Sequence, residues 1–279
     1  MPKRRLDTLL TERGLFPSRT RAAASVMAGE VHVGPGRRRA KKPGELIDAQ
    51  EALSIAERPA YVSRGGIKLA NALAASGVQV AGRRALDVGA STGGFTDCML
   101  QQGAREVIAV DVGYGTLDYA LRTDPRVRVL ERTNARALTP EMLGQLPGDT
   151  DSGGDARPDL ATIDVSFISL TKVLAPVLAC LAEGHDVLAL VKPQFEVGRG
   201  RVGKGGVVRD PGERRAALVR VGEAAVALGE LVLGYHSSGL PGPKGNRETF
   251  VHLAAAGAGL QGASTTAELE AMAGAVEPA

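Results

Sequence analysis

The sequence is poor in aromatic residues and in cysteine. It has no tryptophan, and aromatic residues make up 3% of its 279 residues. RNA-binding modules that stack bases on rows of aromatic side chains are therefore disfavoured. Cys98 and Cys180 lie in apolar helical contexts without metal-ligand spacing, so we predict no metal site and expect a reducing, cytoplasmic setting.

Long apolar runs are also missing. No stretch of about 18 apolar residues occurs, which argues against a transmembrane helix. The N-terminus, MPKRRLDTLLTERG, is basic but lacks the apolar core of a signal peptide. The composition, with 44% hydrophobic and 23% charged residues, is that of a globular protein and excludes a disordered or collagen-like chain.

Positive charge is concentrated at the N-terminus. Residues 1–42 contain eleven Lys or Arg and three acidic residues, whereas the other 237 residues contain 23 basic and 28 acidic ones. A small basic segment (the head, residues 1–57) on a mildly acidic body is typical of a polyanion-binding module fused to another domain. The predicted RNA-binding residues are Arg4, Arg5, Arg19, Arg21, Arg37, Arg38, Arg39, Lys41 and Lys42 in the head, and Arg64 and Lys204 in the body.

The head has the pattern of two helices followed by a small sheet. Leucines at one-turn spacing predict a first helix over residues 5–13, and Ser18 and Gly29 are the expected cap and stop of a second. Short strands are predicted at 31–33, 46–47 and 52–55. The segment RLDTLLTERGLFPSRTRAAASVMAGEVHVGPG, followed by KKPGELI, resembles the S4 RNA-binding domain, which is also found in pseudouridine synthases. The resemblance implies binding of structured RNA by a head that tethers a catalytic domain.

After a linker at 58–61, the body alternates apolar runs with helical stretches. The runs end in polar residues or glycine: RRALDVGA, REVIAVDV, RVRVLERT, DLATIDVS and HDVLALVK. This alternation predicts an α/β fold with a mostly parallel sheet and helices on both faces. Ligands of such sheets bind at the carboxyl ends of the strands. We assign residues 62–260 to this domain and expect a flexible tail at 261–279.

A glycine-rich segment, DVGASTGGFTD (87–97), follows the first of these strands. Ser91 departs from the G-x-G-x-x-G pattern, so an NAD-dependent reductase is disfavoured. The segment instead resembles the D-x-G-x-x-x-G-G-F loop of S-adenosylmethionine methyltransferases. Asp111, which ends the next strand, is placed to accept hydrogen bonds from ribose hydroxyls. The predicted cofactor-binding residues are Asp87, Gly89, Ala90, Ser91, Thr92, Gly93, Gly94, Phe95, Asp111, Val112, Asn134 and Asp164.

Four further residues form a candidate catalytic set: Lys68, Asp164, Lys192 and Glu248. Each alone has an ordinary structural explanation, such as a strand-end cap. Together their order resembles the Lys-Asp-Lys-Glu tetrad of FtsJ-like ribose 2′-O-methyltransferases. The segments SRGGIKL, DVSFISL, LVKPQFEVGR, GKGGVVRD and GPKGNRE resemble the TlyA-type subgroup, which are hemolysin-like rRNA methyltransferases with an S4 domain. The resemblance lapses at 147–159 and in the tail.

The resemblance implies a Rossmann-like class I methyltransferase with a seven-stranded sheet. It also implies S-adenosylmethionine as cofactor, no metal, and cytidine 2′-hydroxyls of small- and large-subunit ribosomal RNA as targets. Loss of the modification is expected to lower susceptibility to capreomycin-type antibiotics. We assign Lys192 as the proton acceptor and Lys68 as the charge that stabilises the alkoxide, although the sequence leaves their division of roles open.

Two other functions are compatible with parts of the sequence. A non-catalytic RNA-binding factor of ribosome assembly would account for the basic head but not for the tetrad. A membrane-active hemolysin would need an apolar span or a strongly amphipathic helix, and the sequence has neither pattern.

Overall fold

The structure is a computed structural model that describes residues 3–56, 59–144, 157–257 and 261–277. The chain divides into two units, Met1–Pro59 and Ala60–Ala279. The division falls within the predicted linker at 58–61, of which residue 58 lies outside the described residues. Most of the predicted insertion at 147–159 lies outside them as well.

Within its described residues, the first unit contains two helices and five short strands. The helices are α1 (Leu6–Glu12) and α2 (Arg19–Ala28). The strands are β1 (Lys3–Arg5), β2 (Val31–Val33), β3 (Arg38–Arg39), β4 (Leu46–Asp48) and β5 (Leu53–Ile55). Strand β1 pairs with β4, and β2 lies between β3 and β5, with every pairing antiparallel.

Local signals and an apolar core together hold this unit. The Ser18 side chain accepts a hydrogen bond from the Arg21 amide at 3.2 Å, and Gly29 ends α2 in the left-handed region at φ 77°. Both boundaries agree with the prediction. The buried core consists of Leu6, Leu9, Leu10, Ala22, Val26, Val31, Val33, Ala40 and Ile47.

The second unit contains a seven-stranded sheet and eight α-helices within its described residues. The strands are β6 (Arg84–Val88), β7 (Glu106–Val110), β8 (Val127–Leu130), β9 (Leu160–Ile163), β10 (Asp186–Val191), β11 (Glu230–Ser237) and β12 (Thr249–Ala255). The helices are α3 (Arg64–Ser76), α4 (Gly94–Gln101), α5 (Tyr119–Arg122), α6 (Pro140–Leu143), α7 (Leu174–Leu178), α8 (Pro193–Glu196), α9 (Pro211–Ala227) and α10 (Thr266–Val276). Short 3₁₀ turns occur at Ala135–Ala137, Leu170–Lys172 and Arg199–Arg201.

The sheet order is β11-β12-β10-β9-β6-β7-β8. Strands β8, β7, β6, β9 and β10 run parallel, whereas β12 is antiparallel to both of its neighbours. The predicted mostly parallel seven-stranded sheet is therefore confirmed. Because β12 runs in reverse, its first residue lies at the same edge as the last residues of the parallel strands.

Both faces of this sheet are buried. Along β10, Val187, Ala189 and Val191 pack into one apolar core, while Leu188 and Leu190 pack into the other. This alternation is what a strand with a side-chain period of two produces between two helical layers. Polar side chains of these strands are therefore accommodated mainly at their ends.

The prediction of a flexible tail at 261–279 is wrong for its described residues. Helix α10 begins with a capping box between Thr265 and Glu268, and it buries Leu269 and Ala273 in the sheet core. After the helix, Glu277 is only 3% exposed, and its carboxylate accepts a hydrogen bond from Arg214 Nε at 2.9 Å. Apolar positions on one helix face and a buried ion pair therefore fix this segment to the unit.

Replacing Glu277 by alanine tests this anchoring. The change leaves Arg214 buried without its carboxylate, so we expect the free energy of unfolding to fall by about 3 kcal/mol, as when one partner of a buried pair is removed. Glu270→Ala, an exposed change on the same helix, is the matched control. Urea denaturation of both variants measures the difference, and equal midpoints would show that the segment does not contribute to stability.

Candidate active site

Predicted site residues follow four adjacent parallel strands. Gly89 comes directly after β6, Asp111 after β7, Asp164 after β9 and Lys192 after β10. The registers pair Val88 with both Val110 and Ile163, so β6, β7 and β9 end at one level, and β10 runs two residues further. Glu248, which precedes the reversed strand β12, reaches the same edge. The fold therefore gathers these predicted residues where α/β sheets bind ligands.

Lys192 forms the first ion pair of the site. Its Nζ lies 2.5 Å from Asp164 Oδ1 and donates a hydrogen bond to Ser166 Oγ at 2.9 Å. The buried Asp164 Oδ1 atom has no hydrogen-bond partner among the described residues. Its contact with the Lys192 amine is therefore an ion pair that lacks the alignment of a hydrogen bond. The Lys192 side chain is 12% exposed, so the amine is held close to the surface of the cleft and not sealed in the core.

Sequence reasoning missed Ser166. It lies two residues after Asp164, in a loop where the next residue, Phe167, adopts a left-handed φ of 64°. A non-glycine residue in that region is uncommon and often marks a functional loop. The hydroxyl in DVSF was visible in the sequence, but its direction depends on this turn.

Lys68 and Glu248 form the second ion pair, which is almost completely buried. Their side chains are 8% and 1% exposed, and Lys68 Nζ donates to Glu248 Oε2. The loop before Glu248 packs tightly on it, since a Cβ atom at Gly242 would lie 2.3 Å from Glu248 Oε1. Asn71, one turn after Lys68, donates to the carbonyl of Ser238 at 2.9 Å and fixes α3 against the end of β11. A charged lysine in this position is compensated by its carboxylate.

One residue of each ion pair lines a single cavity of about 300 Å³, whereas Lys192 and Glu248 do not line it. Lys68 from one pair and Asp164 from the other both line it, together with Arg64 and Phe95. The cavity therefore combines an ammonium group, a carboxylate and an aromatic ring beside the glycine-rich loop. Such a site can orient a hydroxyl and exchange a proton with it.

The glycine-rich loop requires its small residues. Gly89 has a φ of 89°, and a Cβ atom there would lie 2.5 Å from the carbonyl oxygen of Asp164. Asp111 holds the loop, because its carboxylate accepts hydrogen bonds from the amides of Ser91 at 2.8 Å and Gly113 at 2.6 Å. The backbone is thus fixed close to the space that a ligand would occupy.

A second cavity of about 450 Å³ lies on the Asp111 side of the loop. It is lined by Asp111, Val112 and Asn134 and shares Gly89 and Asp164 with the smaller cavity. Carboxylate oxygens can accept more than one hydrogen bond, so Asp111 can accept from a ligand while it holds the loop. The size and the polar end of this cavity suit a nucleoside.

Asp87 does not line either cavity, contrary to its predicted role in contacting a cofactor. Its carboxylate is fully buried and accepts hydrogen bonds from the hydroxyls of Thr96 at 2.6 Å and Thr162 at 3.1 Å. Burial raises the pKa of Asp87 to about 7, and the nearby Asp164 carboxylate adds to this. Asp87 therefore joins α4 to β9 beneath the site. The remaining predicted loop residue outside the cavities is Gly93, where a Cβ atom would lie 2.3 Å from Leu121.

The other predicted cofactor residues line one or both cavities. They are Gly89, Ala90, Ser91, Thr92, Gly94, Phe95, Asp111, Val112, Asn134 and Asp164. Asn134 also accepts a hydrogen bond from the Arg136 amide at 3.0 Å through its side chain.

The basic residues of the first unit fall into two groups. Buried Asp7 forms ion pairs with Arg5 at 2.7 Å and Arg19 at 3.4 Å, and these arginines hold its pKa well below the usual range. Two further pairs join Arg4 to Glu12 and Arg38 to Glu45. Arg39 donates to the carbonyl of Ala28. The remaining predicted residues are exposed cations: Arg21, Arg37, Lys41 and Lys42 in this unit, and Arg64 and Lys204 in the other.

Metal-ligand clusters and membrane spans were sought within the described ranges. There, no group of three or more His, Cys, Asp or Glu side chains could hold a metal ion. Nor does this part of the chain contain a helix that is both long and apolar enough to cross a bilayer.

Comparison with known proteins places this geometry among methyltransferases. The FtsJ-like methyltransferase family matches residues 61–255. A Mycobacterium tuberculosis protein named 16S/23S rRNA (cytidine-2′-O)-methyltransferase TlyA is 48% identical over 252 residues, which are 89% of each chain. A Bacillus subtilis protein named as an rRNA methyltransferase, YqxC, is 46% identical over 93% of this chain and 89% of its own. A solved structure from Streptococcus thermophilus, named as a hemolysin, is 41% identical with a TM-score of 0.69 and covers 99% of this chain and 96% of its own.

Proposed function

Because this chain belongs to the FtsJ-like methyltransferase family, we propose that it methylates the ribose 2′-hydroxyls of cytidines in ribosomal RNA of both subunits, with S-adenosylmethionine as the methyl donor. The observation that carries the proposal is the two lysine–carboxylate ion pairs, Lys192–Asp164 and Lys68–Glu248, each of which contributes one residue to the lining of the same cavity. The name of the 48%-identical relative supports the nucleotide and the two subunits.

The cavities fit the proposed cofactor. Asp111 would bind the ribose hydroxyls, and Val112 and Asn134 would border the base. The close approach of Gly89 to the Asp164 carbonyl leaves the loop backbone facing the cleft. When bound, S-adenosylmethionine supplies a methyl group on a positively charged sulfur, which needs no metal for activation.

Lys192 is the proposed proton acceptor. A ribose hydroxyl is a poor nucleophile until a positioned base takes its proton. Asp164 and Ser166 hold the Lys192 amine at the edge of the cleft, and the amine must first lose its own proton to act. The neutral amine then takes the proton of the 2′-hydroxyl as the oxygen attacks.

Lys68 has a different proposed role. It is buried beside Glu248 and lines the cavity, so its charge is fixed where negative charge develops on the attacking oxygen. Fixed charges in a water-poor site stabilise such a transition state without reorganising. Glu248 positions Lys68 and compensates its charge before the reaction.

The basic residues of the first unit are proposed to bind structured RNA, in agreement with its S4-like sequence. A role as a non-catalytic assembly factor shares this RNA contact but leaves the two ion pairs without a purpose. Membrane lysis rests only on the names of relatives. We also propose that loss of the modification lowers susceptibility to capreomycin-type antibiotics, and that the protein acts in the cytoplasm.

The proposed function is tested by methyl transfer to ribosomal subunits from a strain that lacks this protein. Purified protein and S-adenosylmethionine with a tritiated methyl group should label the RNA of both subunits, and nucleoside digestion should yield 2′-O-methylcytidine. Binding of either subunit without label would favour the assembly factor. Label on a base, or on another nucleoside, would contradict the proposed chemistry.

Asp111→Ala tests the cofactor pocket. Loss of the carboxylate removes the acceptor for the ribose hydroxyls, so the binding of S-adenosylmethionine should weaken by about 1.5–3 kcal/mol, the worth of a charge-assisted hydrogen bond. Calorimetry measures the change, and RNA affinity should stay close to the wild-type value. Unchanged cofactor affinity would restrict Asp111 to holding the Ser91 and Gly113 amides.

Lys192→Ala tests the proton acceptor. Single-turnover methyl transfer should fall by about a hundredfold to ten-thousandfold, the usual contribution of a general base. Cofactor and RNA affinities should remain near wild type. Lys192 lies at the end of its strand, so loss of its side chain should leave the sheet intact. Lys192→Arg should be equally slow, since a guanidinium stays protonated.

The arginine variant distinguishes a proton acceptor from a fixed positive charge at this position. Rescue of the rate by arginine would overturn the assignment and make Lys192 an electrostatic contact.

A further inference from the structure

A third cavity, of about 650 Å³, lies beside the nucleoside-sized one and has no part in the mechanism above. The two cavities share Arg136, Phe167 and Ile168, so they are neighbours on one surface. Phe167 is 92% exposed, and its ring centroid lies 5.3 Å from that of Phe195. This aromatic pair uses two of the five phenylalanines in a chain that has few.

Three cations line this cavity: Arg136, Lys172 and Arg220. Within the described ranges, the side chains of Arg136 and Lys172 make no ion pair or hydrogen bond. Arg220 donates to the carbonyl oxygen of Glu196. Cations without protein partners at a cavity wall are available to an anionic ligand.

The acidic group at this cavity, Glu196, does not offset these charges at the surface. Glu196 is 5% exposed, and its carboxylate accepts hydrogen bonds from Ser169 Oγ at 2.6 Å and the Leu170 amide at 2.8 Å. Burial raises the pKa of Glu196. The cavity therefore presents a net positive wall.

The rest of the cavity is suited to a nucleobase. Phe195, Val197 and Val202 supply apolar surface. A planar base can stack on the phenyl group of Phe195. Cations for a phosphate and a ring for a base thus occur together.

We infer that this cavity binds a nucleotide of the substrate RNA adjacent to the one that is methylated. The inference rests on the proposed function, and it names a contact outside the tetrad and the cofactor pocket. Arg136 and Lys172 bind the phosphate, and Phe195 stacks on the base. Phe195 lies three residues after Lys192, the proposed proton acceptor, and Phe167 follows its hydrogen-bond partner Ser166. This closeness to the proposed site of reaction is the reason to assign RNA as the ligand.

The test compares two variants of equal charge change. Lys172→Ala, the cavity variant, removes a cation that lines this cavity and does not line the nucleoside-sized one. Arg105→Ala is the control, because this exposed arginine precedes β7 and so lies at the opposite edge of the sheet. Phe195→Leu removes the ring and keeps an apolar side chain. The substrate is unmethylated ribosomal subunits from a strain that lacks this protein, and thermal unfolding confirms that each variant is folded.

We expect the cavity variant to raise KM for the subunits and to leave kcat and cofactor affinity near wild type. The slope of log affinity against log salt should fall by about 0.7–0.9 for each lost phosphate contact. Phe195→Leu should raise KM about fivefold or more, the lower end of base–aromatic stacking. The control should change neither quantity by a comparable amount.

Three results would overturn the inference. Equal behaviour of Lys172→Ala and Arg105→Ala would remove the cavity from the RNA contact. A reduced salt slope with no effect of Phe195→Leu would leave a phosphate contact without a nucleotide pocket. If the wild-type protein transfers no methyl group to the subunits, the proposed function fails, and the inference fails with it.

Discussion

Burial of the parallel sheet on both faces constrains where this protein can place chemistry. Apart from Asp87 and Thr162, which are hydrogen-bonded to each other, the interior residues of β6, β7, β9 and β10 belong to two apolar cores. A charged side chain at those positions would lose its hydration without a partner. The first residue after each strand lies outside these cores, so a polar side chain there can remain hydrated or find a partner. Gly89, Asp111, Asp164 and Lys192 occupy those positions, and parallel pairing aligns them at one edge. The active site is thus a direct consequence of strand direction and register.

The two ion pairs at this edge differ in how far burial removes them from water. Lys68 and Glu248 are buried and depend on each other, since removing either leaves a charge without compensation. Lys192 and Asp164 are partly exposed, and Asp164 Oδ1 still lacks a hydrogen bond within the described residues. The buried pair suits a fixed charge, whereas the exposed pair suits a group that must exchange a proton with substrate. This contrast is a structural argument for the division of roles between the lysines.

The sequence predicted those features that depend on local pattern. The five apolar runs of the parallel strands and the caps of α2 at Ser18 and Gly29 follow from periodicity and turn chemistry, and the structure agrees. Strands β1, β3 and β11 were not predicted. Other features depend on tertiary contacts that local pattern does not show. Asp87 has the position of a ligand-binding residue, but it is buried under hydrogen bonds from the hydroxyls of Thr96 and Thr162. The C-terminal segment was predicted to be a flexible tail, whereas Arg214, far away in sequence, pairs with Glu277 and helps to fix it.

A count of basic residues likewise overstates the number of cations that a ligand can contact. The N-terminal unit is strongly basic, yet Arg5 and Arg19 share buried Asp7. These arginines already stabilise the fold, and RNA would have to compete with the carboxylate for them. In the second unit, which is acidic overall, Arg136 and Lys172 have no such competitor in the described part of the chain. The binding free energy of a polyanion depends on the cations that are available to it, and not on the net charge of the domain. A mildly acidic catalytic domain can therefore still contribute specific contacts to RNA.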